Sequence, residues 1–187
     1  MANRNATVVS GLKAAAVLIL LASSATTHAA STRLPWAATS GLHFVETVVN
    51  ADNYRAKAGG LALKKSPSAD VRDFGRALWE DSIKDTRRLR WVLHKTDPHV
   101  FLPTQVAPPY MFVIDELIPV TGDEFDRRFI AQQVASLNQA LALAQAYARF
   151  GDDFELKEYA ARSVPNIRAR LDRVIEIEMR YRASGSR

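Results

Sequence analysis

The sequence predicts an all-α fold, a helical bundle interrupted by one long crossover. Three observations carry this. Four long segments space their apolar residues near the 3.6-residue helical period, with few internal prolines or β-branched runs. A single proline-rich connection divides them into two pairs. The composition, 48% hydrophobic and 24% charged over 187 residues, suits one globular domain with a real core and excludes a disordered, collagen-like or polytopic membrane chain.

The N-terminus reads as an address. Met1 to Lys13 is positive through Arg4 and Lys13, Ala14 to Ala22 is a compact apolar run, and Thr27-His28-Ala29 places small residues at the −3 and −1 positions. This is the three-part order of a secretory signal, with cleavage expected after Ala29. The apolar run is far short of the roughly 20 residues that span a bilayer, so a retained anchor is the weaker reading. No cysteine follows it and no arginine pair precedes it, which excludes a lipid anchor and favours export in an unfolded state to a periplasm. The expected organisation is a signal peptide over 1–29, a flexible N-terminal segment over 30–39 and the bundle over 40–184.

The first helical segment runs from Ser40 to Lys65, with Val45, Val48, Ala56, Gly59 and Leu63 as its stripe. Gly59-Gly60 is either a weak spot of about 1–2 kcal/mol or a point of close helix approach. Ser68 caps the second segment, with Asp70 in its first turn. The second stripe reads Val71, Phe74, Leu78, then Asp81 and Ser82, then Asp85, then Leu89 and Val92, so the middle of an apolar face is polar. Pro98 should end the helix.

Residues 98–119 hold five of the eight prolines and have room for one helical turn around Phe112 to Leu117. A connection of this length serves consecutive helices that are not simple antiparallel neighbours. Trp36, Phe101, Tyr110 and Phe112 are expected to cover the bundle rather than form a peptide site. Thr121 and Glu124 resemble a capping box for the third segment, whose stripe is Phe125, Phe129, Val134, Leu137, Leu141, Ala144 and Ala148, with Gly151 at C′. The fourth runs from Asp152 to Arg182 on a face of Val164, Ile167, Leu171, Val174 and Ile175, and Pro165 should kink it or begin a new helix.

Taken in order, Phe44-Val45, Phe74, Asp81, Gly122 with Phe125-Asp126 and Phe129, and Val164-Pro165 with Ile167-Arg168 and Leu171 resemble the exported bacterial family called domain of unknown function 4142 (DUF4142). The resemblance spans Phe44 to Arg182 and implies a ferritin-like four-helix bundle, in which the long Pro-rich crossover read above lies between helices 2 and 3. It also implies residues that could build a metal centre, and this chain departs from them. Where the family has Asp-His in the second helix stand Asp81-Ser82. Where it has Asp-His in the third stand Ser136-Leu137. Its histidine in the fourth aligns with Arg170, and a glutamate of the first aligns with Arg55.

The residues themselves offer little chemistry. There is no cysteine, and of four histidines His43 lies near a helix start while His94 and His99 flank a helix end. With Asp97, the latter pair could at most form a weak surface metal site. No Glu-x-x-His spacing of the kind a di-metal bundle needs occurs, and Glu155-x-x-Glu158 sits at a helix start where acids are favoured anyway. No histidine shares a face with Ser82, and no glycine-rich phosphate loop is present. No catalytic, cofactor-binding or metal-binding residue and no cofactor are therefore expected.

The polar stretch inside the stripes remains. Asp52, Arg55, Asp81 and Asp85 form a candidate polar core, in which the Arg55 guanidinium is expected to bridge Asp52, Asp81 or Asp85 because buried carboxylates need a partner. The alternative is a splayed, hydrated bundle there.

Net charge is +5, and +3 without Arg4 and Lys13. That is weak attraction to an anionic surface and no nucleic-acid footprint. The arginines from Arg87 to Arg90 and along the last segment read either as a patch for an anionic envelope polymer or as a solvated face. Arg168–Asp172, Glu176–Arg180 and Glu178–Arg182 are helical i,i+4 pairs that favour the latter. The expected protein is exported and non-enzymatic. Its partner would be an envelope protein, an anionic polymer or a second copy in a homo-oligomer. The alternative is a metal-binding or oxidative-stress protein.

Overall fold

The computed structural model describes residues 40–95 and 101–185, with side chains to residue 183. The expected signal peptide with His28, the segment holding Trp36, and Asp97, Pro98 and His99 lie outside these residues. Among the described residues the fold is all-helical. Five helices follow in order: α1 (Gly41–Lys65), α2 (Ala69–His94), the short α3 (Pro108–Asp115), α4 (Gly122–Phe150) and α5 (Phe154–Gly185).

Short turns at 66–68 and 151–153 fold α1 on α2 and α4 on α5 as antiparallel hairpins. The hairpins pack with α1 against α4 and α2 against α5. The register is antiparallel in both cases: Phe44 stacks on Tyr147 and Tyr54 meets Gln132 and Gln133, while Asp70 faces Arg180 and Lys95 faces Glu155. Consequently α2 and α4 run parallel, and the chain between them must travel the length of the bundle. The proline-rich crossover does this. It is held by Asn53 Nδ2, which donates to the carbonyls of Pro103 (2.9 Å) and Gln105 (3.1 Å). Lys65 Nζ donates to the carbonyls of Leu117, Ile118 and Val120.

The apolar residues bury as two clusters. One joins Tyr54, Ala58, Phe74, Leu78, Phe125, Phe129, Leu137, Leu171 and Val174 at the end nearest the α1–α2 turn. The other joins Phe44, Val45, Val49, Leu89, Tyr147, Leu156 and Ala160 at the opposite end. Leu137 is fully buried, as its place in the stripe predicts.

Several local expectations are corrected. In α1 Val45 and Gly59 of the expected stripe are buried, but Val48, Ala56 and Leu63 are only half-buried, and Val49, Tyr54, Ala58 and Ala62 complete the inward face. Gly59 is a close-approach point: a Cβ there would lie 2.3 Å from the Gly75 carbonyl oxygen of α2. Ser68 Oγ does accept from Val71 N. Thr121, however, occupies the α4 N-cap without a side-chain bond, so the capping box does not form. Gly151 has φ −59°, not the left-handed conformation of C′; its small size matters because a Cβ would lie 2.6 Å from the Tyr147 ring. Helix α5 continues through Pro165 without starting anew. The burial of Ala160 and Leu171 on either side of Pro165 packs the helix against the core across the one ladder bond that proline removes. Tyr110 packs at 5.7 Å from Tyr54, but Phe101 and Phe112 are exposed rather than covering the core.

Candidate functional site

Between the two apolar clusters lies a polar layer. Every long helix passes through it where its stripe is interrupted: α1 at Asp52 and Arg55, α2 at Asp81 to Thr86, α4 at Ser136 and α5 at Arg170. Helical spacing explains the grouping. Asp52 and Arg55 are one turn apart on the inward face of α1, and Asp81, Ser82 and Asp85 continue the line from Leu78 to Leu89 on α2.

The layer contains two ion-pair units. In the first, Arg55 Nη2 donates to Asp52 Oδ1 at 2.5 Å, with both side chains almost fully buried. Thr86 Oγ1 donates to Asp52 Oδ2 at 3.3 Å, and Arg55 Nη1 reaches Ser136 Oγ at 3.4 Å. Burial pushes the Asp52 carboxyl up to about 6, against the opposing pull of Arg55. In the second unit, Arg170 Nη1 donates to Asp85 Oδ2 at 2.6 Å and Arg170 Nε to Asp81 Oδ2 at 3.2 Å, so one guanidinium bridges both carboxylates. Burial works against the charge on Arg170, but Asp85 and Asp81 outweigh it and its pKa is raised. Arg88 and Lys84 reach the outer oxygens of Asp85 and Asp81 at 3.3 and 3.5 Å. Tyr159 adds a bond to the Asp85 carbonyl oxygen.

The expected polar core of Asp52, Arg55, Asp81 and Asp85 is thus brought to one level of the bundle, with a different pairing for two of its members. Arg55 satisfies only Asp52, on its own helix. Asp81 and Asp85 take their cation from α5. Arg170 sits next to Leu171 and three residues after Ile167, so its place at the edge of the apolar stripe marks it as inward-facing. Reading the arginines of the last segment as one solvated face concealed this. That face is itself partly redirected: Glu178–Arg182 forms at 2.6 Å, but Arg180 pairs with Asp70 of α2 rather than with Glu176. His43 and His94 are exposed near the ends of their helices, away from the layer.

Beside the two units the helices leave a cavity of about 120 Å³. Asp52, Arg55, Asp85 and Arg170 line its polar side, and Phe44, Val48, Leu143 and Ile167 its apolar walls.

A family model described as "Domain of unknown function (DUF4142)" matches residues 23–177. The chain belongs to this family. No curated protein sequence matches this DUF4142 chain. A solved structure described as "CopM in the Cu(II)-bound form" is similar, with a TM-score of 0.63 at 14% identity, over 76% of this chain and 97% of that one. At that identity the likeness speaks for the fold, an all-helical one.

The polar layer of this DUF4142 chain fits a metal ion poorly. Among the described residues no group of three or more histidine, cysteine, aspartate or glutamate side chains is close enough to hold one. The inward carboxylate oxygens of Asp52, Asp81 and Asp85 already accept bonds from guanidinium groups. A cation entering here would have to displace an arginine whose charge has nowhere else to go.

Proposed function

We propose that this protein is an exported, non-enzymatic helical bundle of the DUF4142 family whose central carboxylates, Asp52, Asp81 and Asp85, are held from within by the guanidinium groups of Arg55 and Arg170, with Lys84 and Arg88 at the outer oxygens, instead of by a metal. The carrying observation is the bridge from the Arg170 guanidinium to both Asp81 and Asp85, across two helices of different hairpins. A fixed cation does the electrostatic work of a metal ion, because buried carboxylates require a counter-charge. It supplies no open coordination position and no redox couple. Interaction, rather than reaction, is what such a site supports. Export rests on the charged, apolar and small-residue order of Met1 to Ala30. Among the described residues no helix is long and apolar enough to cross a membrane.

The similar CopM structure is of a Cu(II)-bound form, so copper is the metal to test first. The experiment is elemental analysis of the mature protein after purification without chelators. Sub-stoichiometric copper, iron, manganese and zinc support the reading. One equivalent of any of them, lost on Asp85→Asn, overturns it and supports a metal-binding role.

A further inference from the structure

We propose that the cavity beside the polar layer is a binding site for a small neutral ring compound bearing one hydroxyl, of the size and polarity of phenol. The proposal rests on the reading that the four central charges are balanced by one another.

Size comes first. At about 120 Å³ the cavity is close to the roughly 150 Å³ of an engineered apolar cavity that admits benzene, so it accommodates one six-membered ring and little more. Its existence follows from the sequence. Ala51, Ala140 and Ala144 stand at inward positions of α1 and α4 where larger side chains would close the gap. Phe44, Val48 and Leu143 supply faces for a ring on one side, and Ile167 closes it from α5. Interior sites between the helices of a bundle, mostly apolar with a few convergent polar groups, are the usual form of small-molecule sites.

Charge decides the class of guest. The Asp52 carboxylate is paired with Arg55 at 2.5 Å and the Asp85 carboxylate with Arg170 at 2.6 Å, and the one buried donor of these four side chains left open among the described residues is Arg55 Nε. An anionic or cationic guest would be stripped of water without finding a free counter-charge, which is costly. A neutral guest avoids that. One polar group on it is still wanted, because the lining is not wholly apolar. Ser136 Oγ receives only the long 3.4 Å contact from Arg55 and donates to no acceptor among the described residues. The Tyr110 ring, carried by α3, also lines the space. A hydroxyl on the guest can both accept from and donate to these groups. Gln139 is exposed and lines the same cavity, which places the entrance on the surface of α4.

The test is a set of calorimetric titrations and thermal-shift measurements on the mature protein, with its metal content measured beforehand. Phenol, benzene and benzoate are the probes. Because the metal content is known independently, failure of ligand binding and failure of the metal-free reading are separate results. The expected result is saturable binding of one phenol, at least several-fold weaker binding of benzene, and no saturable binding of benzoate. Ala140→Leu, which fills the cavity, should abolish phenol binding while circular dichroism stays unchanged. Should that variant not fold, Ser136→Ala gives the second arm: phenol affinity should fall several-fold, with benzene unaffected. No saturable phenol binding, phenol binding undiminished in folded Ala140→Leu, or benzoate binding as tightly as phenol would each overturn the proposal.

Discussion

Replacing Arg170 by leucine removes the guanidinium that joins α5 to α2 and leaves two carboxylates facing a bundle interior. Breaking a fully buried ion pair by deleting one partner costs about 3–5 kcal/mol, because the remaining charge is left uncompensated. Here the figure must be reduced. Arg170 and Asp85 retain 14% and 18% of their side-chain exposure, and Asp81 retains 34%. Arg88 and Lys84 also remain beside the outer oxygens. A loss of about 2–3 kcal/mol follows, nearly all of it from Asp85. In urea this is a fall of about 1 M in the unfolding midpoint, for a slope of about 2–3 kcal/mol/M. The assay is urea unfolding followed by circular dichroism, with Asp85→Asn combined with Arg170→Leu as the closing corner of a double-mutant cycle. The neutral amide relieves the stranded charge, so the double variant should recover part of the loss and give a coupling of at least about 1 kcal/mol. The same cycle with Arg55→Leu in place of Arg170→Leu should show much less coupling to Asp85. A loss below about 0.5 kcal/mol for Arg170→Leu, with no coupling to Asp85, would mean that the pair is solvated and the argument wrong.

Leu137→Ala should cost about 2–5 kcal/mol in the same assay, since the side chain is fully buried; a loss under 1 kcal/mol would remove it from the core. Asp52 predicts a pH dependence. Its pKa is raised by burial from 3.8 to about 6, so the folded state holds the proton more tightly than the unfolded chain. Its contribution to stability is therefore greatest below pH 4 and declines, by about 3 kcal/mol, as pH rises through 6. The stability of wild type relative to Asp52→Asn should fall across that window, and a flat or rising difference would contradict the assigned burial. Mass spectrometry of protein recovered from the cell envelope should give an N-terminus near Ala30; an intact Met1 in a membrane pellet would favour a retained anchor.

How far the sequence led is visible in particular residues. The α2 stripe from Val71 to Val92 is legible in full because a helix packed on one side shows its period directly, and its polar interruption at Asp81, Ser82 and Asp85 marks the level of the site. The long crossover follows from its prolines, and its necessity is seen once α2 and α4 prove parallel. The α1 face is placed only in part, at Val45 and Gly59, because α1 packs against both α2 and α4 and so buries residues such as Val49, Ala58 and Ala62 outside a single stripe. The partner of Asp81 and Asp85 is missed for a related reason. Helical spacing ranks neighbours within one helix, and Arg55 beside Asp52 is such a neighbour. A contact between Asp85 and Arg170 spans 85 positions and depends on the register between two hairpins. Gly59 against Gly75 is of the same kind, being recognisable as close approach only when the facing helix is in place.

In the proposed reading, guanidinium groups, not a metal ion, hold the central carboxylates. Calorimetric titration of the chelator-treated mature protein with Cu(II), at protein concentrations of about 10 μM, tests it most directly. No saturable heat from the bundle interior is expected, and the isotherms of wild type and of Asp85→Asn should be identical. One equivalent of Cu(II) bound to wild type and lost in Asp85→Asn would contradict it.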